Sequence, residues 1–350
     1  MKLTAAVVAL AAMVLLPALG STEISPVLGS AIVGAENAQE APQQDAEKSE
    51  AEKAIEGYQK AIRKDPKNVE AYVGLGAVYI GLGRYQEALD AYTKAVSIKP
   101  DSAEAYIGMG WAYIGLGRNQ ESLDAYQKAV SINPKYAEAH LGLGFAYIKL
   151  GRYEEAVAAY KKAASLKRRY AEAYMGLGSA YIRLNRNQEA LDAYKKAVSF
   201  KPEYADAHVG VGSACMRLGR AQEAAEAYTK AVTIKPDYAE AYVGLGSAYI
   251  RLDRNQEALD AYTKAASLQP NSVEAYVGLG SACMRLGRYQ EAVDAYKRAV
   301  TIKPGDAVVH YSLGVAYLRT GNADGAMEQY RLLKDIDAQK AAGLLKLINP

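Results

Sequence analysis

Two apolar stripes alternate along the chain with a fixed period. In the first, Tyr72, Leu75, Gly76 and Tyr79 recur three and four residues apart; in the second, Ala88, Tyr92, Ala95 and Val96 do the same. That spacing places each set on one face of an α-helix. Between the stripes stands Gly83, with Gly117, Gly151, Gly219, Gly287 and Gly321 at the equivalent places and Asn185 and Asp253 in the two that remain. These are the residue types that best tolerate a left-handed turn. Pro66, Pro100, Pro134, Pro202, Pro236, Pro270 and Pro304 close the second helix, because the residue before a proline disfavours helical angles. Between Pro66 and Pro304 only the slot at Arg168 lacks its proline.

The pattern therefore predicts helix pairs repeated every 34 residues. Eight units cover 69–340, the first being 69–102, and residues 51–68 carry the phase of a leading half-unit through Ala54, Tyr58, Ala61 and Pro66. The last unit departs: Asn322, Leu333 and Ala338 stand where the others have Arg, Ala and Pro. A stacked array needs a terminal element over its last apolar face. Residues 336–350 are expected to supply it as a capping helix, through Leu344, Leu345, Leu347 and Ile348.

Unit position 8 is Gly in all eight units, position 24 is Tyr in all eight, and position 20 is Ala in all but one, where Ser122 replaces it. With the 34-residue period, this closely resembles the tetratricopeptide repeat family. The resemblance implies an all-α, right-handed superhelical solenoid whose first helices line a concave groove. It also implies a protein-binding scaffold rather than an enzyme, although a fold alone does not fix a function.

Composition adds limits. The 350 residues are 50% hydrophobic and 23% charged, with a net charge of +3. That excludes wholesale disorder and gives no reason to expect a nucleic-acid partner. The 28 tyrosines, against two Phe and one Trp, follow from copying one unit. His140, His208 and His310 all occupy position 4, on different layers, so they cannot converge on a metal. Cys215 and Cys283 share position 11 two units apart, beyond disulfide reach. No nucleophile, base and orienting group come together in the sequence, so neither an enzyme nor a cofactor is expected. Asp90 with Lys94, and Asp260 with Lys264, are read as helix-surface pairs.

Positions 2, 6, 9 and 13 of the first helix lie opposite the 4, 8, 11 stripe and are expected to form the groove floor. Position 6 is glycine from Gly74 to Gly278, either a bare floor for a ligand backbone or a copied neutral residue. Position 9 holds Trp111 and Phe145, then serines. Position 13 holds Lys149, Arg183, Arg217, Arg251, Arg285 and Arg319; position 5 is apolar at Val73, Ile107 and Leu141. The expected ligand is an extended peptide segment, apolar at one end and acidic at the other, with Trp111 as its main anchor. Asparagines that hold a peptide backbone in some family grooves are absent from positions 6 and 9. The alternative is a self-assembling structural scaffold, a homo-oligomer.

At the N-terminus, Met1 and Lys2 precede an apolar run over 3–19 closed by Gly20 and Ser21. This has the layout of a secretory signal peptide at 1–20, or of a membrane anchor if uncleaved. The expected location is outside the cytoplasm, periplasmic or extracellular. A second apolar stretch covers 24–35, and 36–50 is polar; 21–50 is expected to be a linker.

Overall fold

A computed structural model of the chain describes residues 41–349. The expected signal peptide or anchor, and residues 21–40 of the expected linker, lie outside the described residues. Those described form eighteen α-helices and no strand. The first is α1 (Ala41–Lys64). The eight units then supply pairs: α2 (Val69–Gly81) with α3 (Tyr85–Ile98), α4 (Ala103–Gly115) with α5 (Asn119–Ile132), α6 (Ala137–Lys149) with α7 (Tyr153–Leu166), and α8 (Ala171–Arg183) with α9 (Asn187–Phe200). These pairs are followed by α10 (Ala205–Arg217) with α11 (Ala221–Ile234), α12 (Ala239–Arg251) with α13 (Asn255–Leu268), α14 (Val273–Arg285) with α15 (Tyr289–Ile302), and α16 (Ala307–Arg319) with α17 (Ala323–Ile336). The chain ends in α18 (Ala338–Ile348). None of these helices is long and apolar enough to cross a membrane. The helices gather into two compact units, residues 41–202 and 203–349, and in each successive helices pack on one another as a stack of hairpins.

Local chemistry fixes the helix ends. Gly83 has φ +69° and Asn185 and Asp253 have φ +55°, the left-handed residue that ends a helix. The Arg84 amide then bonds back to the Tyr79 carbonyl at 2.8 Å, and the same bond recurs in later turns, as from Arg118 to Tyr113. Asn68, Ser102 and Ser272 cap the first helices that follow them by accepting from an amide three residues on. Where tyrosine takes that place, as at Tyr170, Tyr204 and Tyr238, no side-chain cap forms, and the ring is buried instead. The turn at Arg168, without its proline, puts Arg169 at φ +58°.

The first helices are buried around most of their circumference. In α2, Ala71, Val73, Gly74, Leu75, Gly76, Ala77, Tyr79 and Ile80 are all buried. Such a helix is covered on one side by its own second helix and on the other by the second helix of the preceding unit. The position-24 tyrosine makes this possible. A Cβ on Gly76 would stand 2.7 Å from the Tyr92 ring, and one on Gly108, in the next unit, 2.1 Å from it. Tyr92, Tyr126, Tyr160, Tyr228 and Tyr262 each sit in such a slot between two glycine-bearing backbones. Burial pushes the Tyr92 and Tyr160 phenols far up, and that of Tyr228 to about 12, so these groups are packing and not acid–base chemistry at neutral pH.

At the C-terminal end, α18 packs on both α16 and α17. Leu344 is fully buried and fills the slot above Gly314, while Leu333 is buried beside it. Ile348 packs at the edge and Leu345 is half-buried, but Leu347 is 48% exposed. Leu347 therefore makes no cap contact, contrary to the sequence expectation, because it falls on the outer face of α18. At the other end, α1 begins at Ala41, so residues 41–50 are helical rather than a linker. Ala, Gln, Glu and Lys are good helix formers and Pro42 is tolerated in a first turn.

Candidate interaction surface

The residues expected to form a groove floor divide by burial. Val73, Ile107 and Leu141 are exposed by only 4%, 1% and 2%, and Trp111 by 5%. They are core, and the expectation that a ligand meets them is corrected. The face opposite the 4, 8, 11 stripe is not free: the preceding second helix covers it. The position-6 glycines are corrected for the same reason. Gly74, Gly142, Gly176, Gly244 and Gly278 each face the ring of the preceding position-24 tyrosine, where a Cβ would stand at 2.1–2.5 Å. They are slots for Tyr58, Tyr126, Tyr160, Tyr228 and Tyr262 and not a bare floor.

Position 9 serves the same tyrosine. Trp111 meets Tyr126 edge to face at 6.2 Å and Phe145 at 5.4 Å, and half-buried Phe145 meets Tyr160 edge to face at 5.8 Å. In later units a serine replaces the ring and contacts the tyrosine hydroxyl: Ser179 with Tyr194, Ser213 with Tyr228, Ser247 with Tyr262 and Ser281 with Tyr296, at 2.9–3.3 Å. Opposite Trp111 that partner is lost, and the buried Tyr126 hydroxyl makes no hydrogen bond.

What remains exposed is the cationic end of the stripe. In residues 41–202, Lys149 and Arg183 are half-buried and engaged by neighbours. In residues 203–349, Arg217, Arg251, Arg285 and Arg319 are exposed on four successive first helices. Two reach back one unit: Arg251 Nη1 donates to the Met216 carbonyl at 3.3 Å, and Arg285 Nη1 pairs with Asp253 at 3.0 Å. These contacts fix the arginines near the C-terminal end of the preceding first helix, where carbonyls lack helical partners. They leave Arg285 47% and Asp253 84% exposed. A different set, the turn arginines at position 16, is committed to structure. Arg84 lies over the Tyr79 ring and pairs with Glu87, and Arg254 does the same with Tyr249 and Glu257. The glutamate holds each of these guanidiniums further above its usual range.

Other candidates find plain partners. His140 Nε2 bonds the Pro134 carbonyl at 2.9 Å, and His310 contacts both the Pro304 carbonyl and Gln329 at 2.7 Å. Cys215 and Cys283 are buried and form no disulfide, and burial pushes the Cys283 thiol up. Asp90 and Asp260 accept from Gln86 and Gln256, at 3.0 Å each, rather than taking the helix-surface lysine partners expected of them. Among the described residues no three acidic, His or Cys side chains gather as a metal site. An open surface hollow of about 820 Å³ lies between α13 and α15 over α14, lined by Asp260, Lys264, Arg288, Glu291, Asp294 and Arg298. Its charges come from two helices, α13 and α15, so no single-helix pattern in the sequence marks it.

Comparison with known proteins agrees with this construction. Family models described as tetratricopeptide repeat match residues 69–102, 175–239, 243–307 and 284–348, and one described as TPR repeat matches 44–83, 110–151 and 146–185. No curated protein is significantly similar. Among solved structures, the APC/C heterotetramer Cut9–Hcn1 superposes with a TM-score of 0.57 at 20% identity, covering 84% of this chain and 58% of that one. The chain thus spans little more than half the length of that structure. MamA matches 47% of the chain at 31% identity and TM-score 0.44. YrrB, described as a TPR protein with an unusual peptide-binding site, matches 53% at 24% identity and TM-score 0.43.

Proposed function

The chain belongs to the tetratricopeptide repeat family, whose fold is generally a non-catalytic interaction scaffold, and on that premise we propose that it binds extended acidic peptide segments along its row of position-13 arginines. The observation that carries this reading is the exposure of Arg217, Arg251, Arg285 and Arg319 at one place on four successive first helices. Packed helices stand roughly 8–10 Å apart, and an extended peptide advances about 3.3 Å per residue. A matching ligand therefore carries Asp or Glu at about every third position. Burial of Trp111 removes the aromatic anchor expected from sequence, so charge dominates and the segment needs no bulky apolar end.

The test is a peptide array of fixed net charge with the acidic spacing varied. Preferential binding at a spacing of three supports the reading; equal binding at every spacing contradicts it.

A role in the cell envelope rests on the N-terminal sequence. Mature protein is expected to begin near Ser21. N-terminal sequencing that returns Met1 would point to a membrane anchor instead.

A further inference from the structure

The two ends of the repeat array are finished differently. At the C-terminal end Leu344 closes the last glycine slot. At the N-terminal end α1 has the pattern of a second helix, and the helix that would pair with it as a first helix is not among the described residues. Tyr92, Tyr126, Tyr160, Tyr228 and Tyr262 are each held between two glycines, one from their own unit and one from the next. Among the described residues Tyr58 meets only the next-unit glycine, Gly74. Burial records the difference. Ala88, Tyr92 and Ala95 are buried, whereas the equivalent Ala54, Tyr58 and Ala61 on α1 are half-buried.

We propose that this open face of α1 is a docking site for residues 27–34 of the same chain, which act as the missing first helix. Leu28, Gly29, Ser30 and Ala31 repeat the run that occupies positions 7–10 in α8, α12 and α14, such as Leu245, Gly246, Ser247 and Ala248. In those helices the run has a defined task. Gly246 lies against the Tyr262 ring and Ser247 contacts its hydroxyl; Gly178 and Ser179 do so for Tyr194, and Gly280 and Ser281 for Tyr296. Gly29 and Ser30 offer the same pair of contacts to Tyr58. Ile32 and Val33 follow where α8 and α12 carry Tyr and Ile and α14 carries Cys and Met, which accounts for the apolar stretch at 24–35.

The chain is long enough. Tyr58 lies seventeen residues into α1 after Ala41, about 26 Å along the axis at 1.5 Å per residue. Five helical residues from Gly29 to Gly34 and seven extended ones to Ala41 reach about 31 Å. The segment also lies beyond the expected cleavage point near Ser21, so it stays with the mature protein.

Hydrogen exchange of residues 51–64 tests the proposal. It is measured in the chain from Ser21, the same chain lacking 22–36, Gly29→Leu, and Gly34→Leu as a control. The deletion and Gly29→Leu are each expected to speed exchange in α1 by about tenfold or more, the signature of lost local packing, while Gly34→Leu leaves it unchanged. A synthetic peptide of residues 22–36 restores protection to the deleted chain. Equal exchange in the full and deleted chains overturns the proposal, as does a silent Gly29→Leu. Protection that rises with protein concentration also overturns it, since the face then belongs to a second copy.

Discussion

A single tyrosine per unit organises the packing, and glycine is what makes room for it. This replaces both explanations of the position-6 glycines that the sequence left open, a bare floor and a copied neutral residue. Gly108→Ala gains helix propensity of about 1 kcal/mol, but its methyl would stand 2.1 Å from the Tyr92 ring. Overpacking a closed site costs about 1–3 kcal/mol, so the variant is expected to be less stable. Gly57→Ala, in α1 with nothing within 4 Å of the added carbon, is expected to gain up to about 1 kcal/mol. Denaturant melts of the two variants check this, and equal effects would mean the slot is not closed. The hydroxyls make a second contrast. Tyr126→Phe removes a buried group without a partner and is expected to be neutral or stabilising, whereas Tyr228→Phe breaks the contact with Ser213 and is expected to cost about 1 kcal/mol.

Helices, turns and the period were legible in the sequence because 3.6-residue periodicity and left-handed turn residues are local signals. Gly83 and Asn185 announce the same turn by residue type alone. What escaped was the second face of the first helices. Periodicity shows one stripe per helix, and a helix clasped on both sides has two. Trp111 and the position-6 glycines were therefore assigned to an open floor when the preceding second helix already covers them. The exposed arginines were readable because each sits at a helix end, beyond the reach of that cover. At this scale α18 is the element to test. Deleting residues 337–350 uncovers Leu333 and the Gly314 slot. Exchange in 307–336 should rise before that of any earlier unit, because each unit is stabilised mainly by its neighbours. Unchanged exchange there would show that α18 does not cap the stack.

For the molecule as a whole, a net charge of +3 over 350 residues hides a directional arrangement. The position-16 arginines are neutralised by glutamates in their own turns, while Arg217, Arg251, Arg285 and Arg319 are displayed on four successive units within residues 203–349. Reversed roles, with the turn arginines free, would predict a diffuse charge and no preferred ligand spacing. Charge complementarity mainly sets specificity and association rate, and exposed charges are screened over about 10 Å at 0.1 M salt. The reach-back pair of Arg285 with exposed Asp253 adds at most about 1 kcal/mol of stability, so the arginines can be replaced without unfolding the stack. The most direct measurement is a titration of a synthetic peptide with Asp or Glu at every third position. It compares the parent chain with the triple variant Arg217→Ser, Arg251→Ser, Arg285→Ser at low and high salt. The parent is expected to bind tightly at low salt and lose affinity steeply as salt rises, and the variant to bind weakly with little salt dependence. Indistinguishable binding of the two chains at both salt concentrations would contradict the assignment of the ligand to this row.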